Sequence, residues 1–229
     1  MSQLLLDLKM EQPPTLDNFV SGANAELISR LRGLTDRGSF DAVYLWGASG
    51  CGKSHLLAAT IAAARRPSLL LAGEATGTEI AIAPGMLLAV DDVHELGEAA
   101  QVALFRTFNA ARLAGLAILL AGHEPPARLK LREDLRTRIG QTLVYEVKPL
   151  SDDEKSAALK RHALLRGMKV DEGLVRYLLS RGRRDLNSLM GVLDSLDRAT
   201  LELKRPATLP LLKEVMQLQF DTDDESRSV

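Results

Sequence analysis

Val43-Tyr44-Leu45-Trp46-Gly47-Ala48-Ser49-Gly50-Cys51-Gly52-Lys53-Ser54 is the stretch that decides the fold class. Four apolar residues run into a glycine-rich turn of the form G-x-x-x-x-G-K-[ST], and a helix-patterned segment, Lys53–Arg65, follows. Strand, turn and helix are the setting this motif requires. Gly47, Gly50 and Gly52 let the main chain turn tightly and aim N–H groups at phosphate oxygens, and the helix behind adds its positive N-terminal end. Ser49, Cys51 and the neighbouring His55 fall with these residues as nucleotide-binding positions. Lys53 is suited to reach the β- and γ-phosphates, and Ser54 to hold Mg²⁺. Cys51 reads as a small loop residue rather than a redox group.

Working outward, four more short apolar runs appear at 68–72, 86–90, 117–121 and 143–147. Continuous runs of this length fit parallel strands buried on both faces, and helical spacing at 97–115 supplies a crossover. The expectation is an α/β core with a five-stranded parallel sheet over residues 15–149. The connection 73–85 is short and leaves room for one or two helical turns at most. Leu87-Leu88-Ala89-Val90-Asp91-Asp92 is an apolar strand ending in two acids. Beside a phosphate loop, Asp91 is placed to hold Mg²⁺ through water, and Asp92 to orient or deprotonate an attacking water.

After Pro149 the pattern becomes all helical. Ser151-Asp152-Asp153-Glu154 opens the first of four helices, predicted near 151–166, 171–182, 184–203 and 209–218. Residues 150–220 therefore form a helical domain, with 221–229 a polar, frayed tail. Residues 1–14 read as an extended leader that ends at Pro13-Pro14.

The chain has 229 residues, with 29 Lys+Arg against 30 Asp+Glu. Residues 1–150 carry 15 basic and 16 acidic groups and the remainder 14 of each, so neither half is a basic arm for DNA. One cysteine excludes an internal disulfide framework. No apolar run approaches the roughly 20 residues that span a bilayer, and the N-terminus lacks a signal-peptide pattern. A cytoplasmic protein without a membrane partner is expected. His55, His94, His123 and His162 are scattered without metal-ligand spacing, which favours structural or surface roles.

These motifs together resemble the AAA+ ATPases, and within them the bacterial initiator clade around DnaA. The resemblance covers about 15–219. Thr15-Leu16-Asp17-Asn18-Phe19-Val20-Ser21-Gly22-Ala23-Asn24 is similar to the family's opening segment, which implies that Phe19, Val20 and Asn24 lie against adenine. Leu135-Arg136-Thr137-Arg138-Ile139 resembles the segment that carries the arginine finger, which implies that role for Arg138. Arg183-Arg184-Asp185-Leu186-Asn187 resembles the start of a lid helix, with Arg184 as the sensor of nucleotide state. The position after the fourth strand departs from the family, because Ala121-Gly122-His123 stands where a small polar sensor is usual. That puts self-catalysed hydrolysis in doubt and leaves Arg138 untouched.

Gln3-Leu4-Leu5-Leu6-Asp7-Leu8 is similar to the peptide with which regulatory members of this clade, the Hda family, grip the sliding clamp. By that resemblance Gln3, Leu4, Leu6 and Leu8 engage the β subunit of DNA polymerase III in an apolar groove. The chain shows no basic recognition helix after the lid. The resemblance thus implies a replication inhibitor that binds ADP or ATP with Mg²⁺ and docks on the clamp. It would present Arg138 to ATP held by DnaA, converting it to DnaA-ADP, with contact to DNA only through the clamp. Nucleoid association through the clamp, and head-to-tail association with DnaA or a second copy, follow from the same likeness. Two other readings stay open: an autonomous ATPase of the helicase-loader type, and a non-catalytic clamp adaptor.

Overall fold

The structure is a computed structural model that describes residues 13–36, 40–183 and 185–225, with side chains to Gln217. The proposed clamp peptide and Arg184 lie outside the described residues. Five strands form one parallel sheet: β1 (Asp41–Trp46), β2 (Ser68–Ala72), β3 (Leu87–Asp91), β4 (Ala117–Gly122) and β5 (Leu143–Glu146), in the order β2-β3-β4-β1-β5. β2 pairs with β3 from Ser68↔Leu87 to Ala72↔Asp91, and β3 with β4 from Leu87↔Ala117 to Val90↔Leu120. The central strands match the apolar runs because both faces are covered. Leu87–Val90 and Ala117–Ala121 are fully buried. The edge strands differ from the expectation of double burial. Leu70 in β2 and Leu143 and Val144 in β5 are exposed, since an edge strand has a neighbour on one side only.

The helices of the front half are α1 (Ala25–Thr35), α2 (Lys53–Ala62), α3 (Glu98–Ala114) and α4 (Glu133–Gly140). Gly115 in the left-handed region (φ 63°) ends α3, and its N–H donates to the Ala111 carbonyl. The connection between β2 and β3 holds turns, closed by Ala75 N–H to the Ala72 carbonyl and Thr76 N–H to that of Gly73, and no helix.

The back half folds as α5 (Asp152–Leu165), α6 (Glu172–Arg181), α7 (Leu186–Leu203) and α8 (Leu209–Glu225). Ser151 closes a capping box on α5: its hydroxyl accepts from the Glu154 N–H, and the Glu154 carboxylate accepts from the Ser151 N–H. Asp171 and Asp185 cap α6 and α7 by accepting the N–H of Leu174 and Ser188. Leu159, Leu174, Leu178, Leu189, Leu193, Leu196 and Leu212 converge in one core. Each such burial contributes about 1.5–3 kcal/mol. α8 continues to Glu225, beyond the expected end at Leu218.

The chain divides into two compact units. One comprises residues 1–19, 26–45 and 53–145, and the other 20–25, 46–52 and 146–229. The sequence reading put the change at 149/150. The second unit's long segment begins at Glu146, and the unit also takes the glycine-rich loop and part of the opening segment.

Candidate functional site

In the second unit, the loop leaves β1 at Trp46, whose carbonyl accepts the Val147 N–H at 2.7 Å. Gly50 and Gly52 sit at φ +74° and +99°, conformations costly for residues with a Cβ. A Cβ on Gly50 would stand 2.6 Å from the Asp185 Cβ, so the loop is packed against the residue that caps α7. Burial opposes ionisation of Asp185, but the hydrogen bonds from Ser188 outweigh it and hold the carboxyl below its ordinary range. Cys51 is partly buried, and its N–H donates to the Ala48 carbonyl at 3.4 Å.

Also in this unit, Asn24 is buried and spends its amide on the main chain of Lys148. Its Nδ2 donates to the Lys148 carbonyl (3.0 Å) and its Oδ1 accepts the Lys148 N–H (2.8 Å). The pair pins Asn24 to the segment that follows β5. The structure thus gives Asn24 a strut's role, which sequence alone did not suggest. Val20 is half-buried.

In the first unit, α2 begins at Lys53, which is buried, while Ser54 beside it is exposed. His55 does not point to open solvent. Its Nε2 lies 3.0 Å from the Thr15 carbonyl, and its ring is 5.6 Å from that of Phe19. Thr15 and Asn18 lock the same segment into a tight turn through reciprocal side-chain to main-chain bonds of 2.9 and 3.0 Å. His55 thereby holds Phe19 against α2.

At the C-terminal ends of β3 and β4 the first unit brings four groups together. Asp91 Oδ1 accepts the Asp92 N–H (3.0 Å). Asp92 adopts φ 45°, ψ 53°, an uncommon conformation for a non-glycine residue and one that recurs where geometry serves function. Its main chain is fixed from β2, because a Cβ on Gly73 would fall 2.2 Å from the Asp92 carbonyl oxygen. Gly73→Ala is therefore expected to cost about 1–3 kcal/mol through forced backbone movement, read as a lowered midpoint in thermal unfolding. His94 and His123 complete the group, their ring centroids 4.2 Å apart. Sequence spacing did not pair them, because His94 follows β3 and His123 follows β4.

Tyr44 supports this corner from β1. Its hydroxyl donates to the Glu124 carbonyl (2.6 Å), and a Cβ on Gly122 would meet its oxygen at 2.4 Å. Burial, assisted by nearby Glu124, raises the phenol well above its ordinary range, so Tyr44 remains a neutral donor.

Arg138 stands apart from that corner, exposed on α4. Its Nη2 donates to Asn109 Oδ1 (3.0 Å), and its guanidinium carbon lies 6.0 Å from the centre of the Phe105 ring. Beside it is an open depression of about 830 Å³ lined by Phe105, Arg132, Glu133, Asp134, Thr137 and Gln141. α4 itself was not foreseen from sequence.

Residues 152–216 match the family described as Hda, lid domain. Among solved structures, domain III of the Thermotoga maritima replication initiation protein DnaA is similar, with 17% identity and a TM-score of 0.76. That match covers 90% of this chain and 96% of the other. AMPPCP-bound DnaA from Aquifex aeolicus is 19% identical with a TM-score of 0.71, over 93% of this chain and 71% of that one. A RuvB variant from Thermotoga maritima is 17% identical with a TM-score of 0.72, over 90% and 72%. The fold is that of AAA+ domains of the DnaA type, followed by a helical lid.

Proposed function

We propose, from an Hda lid domain at residues 152–216 joined to an AAA+ fold of the DnaA type, that this chain is a DnaA-related regulator of replication initiation. It binds an adenine nucleotide and offers Arg138 to ATP held by DnaA. The observation that carries this reading is Arg138 itself. It is exposed, oriented by Asn109 and Phe105, and borders an open depression. A planar guanidinium suits phosphoryl oxygens because its fork can meet two of them at once.

The residues present fit a resident nucleotide. Gly50 and Gly52 give the loop the left-handed backbone conformations of a tight turn, and Lys53 stands at the first turn of α2, where an anion is favoured. The loop 47–52, Lys53 and Ser54 would hold the phosphates, with Ser49, Cys51 and His55 alongside and Phe19 and Val20 toward the base. Ser54 and Asp91 would hold Mg²⁺, which when bound neutralises phosphate charge. AMPPCP in the solved DnaA structures supports an adenine nucleotide as the ligand class. Arg184 would read nucleotide state from the start of the lid helix.

Gln3, Leu4, Leu6 and Leu8 are proposed to dock on the β clamp, so that DNA-loaded clamp brings the regulator to DnaA. The test is phosphate release from DnaA preloaded with ATP, in the presence of clamp loaded on DNA. The full chain should accelerate release, and a chain lacking residues 1–9 should lose the clamp dependence while still binding nucleotide. The pair Asp91 and Asp92 at the end of β3 favours one rival, an autonomous ATPase of the loader type. Unchanged release from DnaA, together with DNA-stimulated hydrolysis by the chain alone, would establish that rival instead.

A further inference from the structure

We propose that Asp92, His94 and His123 form a binding site for a divalent transition-metal ion of the Zn²⁺ class, separate from the Mg²⁺ expected at the nucleotide. One ligand atom from each of the three residues lies within 4.8 Å of the other two. Asp92 Oδ1 is 3.5 Å from His123 Nε2 and 3.9 Å from His94 Nδ1. A tetrahedral ion with arms of about 2.0–2.2 Å holds its donors roughly 3.3–3.6 Å apart. Small side-chain rotations bring the three atoms to that spacing.

His94 Nδ1 is shielded from solvent and has no hydrogen-bond partner among the described residues. A buried polar atom left so costs about 1–3 kcal/mol, and a metal bond removes that cost. The supporting frame is stiff. The close approach at Gly73 fixes the Asp92 main chain, and the short turn Val93–Glu95 swings His94 back over it. Tyr44 fixes the end of β4 just before His123 through Gly122 and Glu124.

The donor chemistry selects the ion. Two imidazole nitrogens and one carboxylate suit Zn²⁺, Co²⁺, Ni²⁺ or Cu²⁺, whereas Mg²⁺ takes oxygen ligands and keeps its waters. The His123 side chain is 47% exposed and that of Asp92 37%, which leaves a path for the ion and an open fourth position for water. A carboxylate bound to the ion is withdrawn from proton transfer. If the nucleotide reading holds, such an ion would restrain the chain's own hydrolysis while leaving Arg138 free to act elsewhere.

The experiment uses the full chain, treated with chelator and free of nucleotide, so it stands whether or not the nucleotide reading does. Co²⁺ is titrated while the visible bands of a tetrahedral site are followed, and Zn²⁺ is then added in competition. Bound metal is counted by elemental analysis after dialysis. One equivalent is expected, with Zn²⁺ displacing Co²⁺. His94→Ala and His123→Asn should each weaken binding by more than the roughly 100-fold that loss of an outer-shell partner brings. His162→Gln, in the lid, should leave it unchanged. Circular dichroism establishes that each variant folds, and His123 is exposed enough for substitution without packing loss. The absence of a saturable site, or binding that survives both His94→Ala and His123→Asn, would overturn the proposal.

Discussion

Arg138→Ala is expected to remove nearly all of the chain's stimulation of ATP hydrolysis on DnaA, a loss of roughly 10³-fold or more. That corresponds to about 4 kcal/mol of transition-state stabilisation. The magnitude follows from where charge develops. An arginine presented from outside meets the phosphoryl group only as negative charge spreads over its oxygens, so its removal falls mainly on the rate. The substitution should leave folding intact, because Arg138 is exposed and gives up only one hydrogen bond to Asn109 and a contact with Phe105. Arg138→Lys should recover little, since a single ammonium cannot reproduce a planar two-point contact. The assay is phosphate release from ATP-loaded DnaA with clamp on DNA. Stimulation that survives Arg138→Ala would reduce the chain to an adaptor.

The strands of the sheet were legible because each is a compact apolar run bounded by turn residues. The helices α5 and α6 were legible because Ser151 and Asp171 stand at their starts, whereas α7 was placed from Arg184 and its cap Asp185 was not read. α4 was hidden for a physical reason. Among its eight residues, Glu133–Gly140, only Leu135 and Ile139 are buried, so its apolar face is one pair spaced four apart amid charge. The exposure of β2 and β5 depends on sheet order, and no local pattern encodes which strands become edges.

The candidate sites divide in the same way. The glycine-rich loop and Asp91-Asp92 are contiguous in sequence, so their chemistry can be read in place. Asn24, by resemblance, and His55, by its place beside the glycine-rich loop, were read as ligand contacts, and the structure adds what sequence could not show, a bond from each to the main-chain carbonyl of a distant residue. His94 and His123 were set aside because no spacing joins them. The parallel pairing of β3 with β4 brings the residues after both strands to the same edge of the sheet, and only the fold makes them neighbours.

Lys53→Ala is expected to weaken adenine-nucleotide binding by about 2–5 kcal/mol, roughly 30- to several-thousand-fold. Lys53 is only 5% exposed and stands at the first position of α2. A cation there opposes the helix dipole, which favours negative charge at that end. Truncation leaves the phosphate oxygens without their partner. The measurement is thermal unfolding with and without ADP. A ligand at about 100 times its dissociation constant stabilises by about 2.7 kcal/mol, which for a chain of this size raises the midpoint by roughly 5–10 °C. Wild type and Arg138→Ala should both show that rise, and Lys53→Ala should show no more than roughly 2–3 °C at the same concentration. A preserved rise in Lys53→Ala would remove the phosphate loop from nucleotide binding. An absent rise in Arg138→Ala would mean that this arginine serves its own nucleotide rather than one held by DnaA.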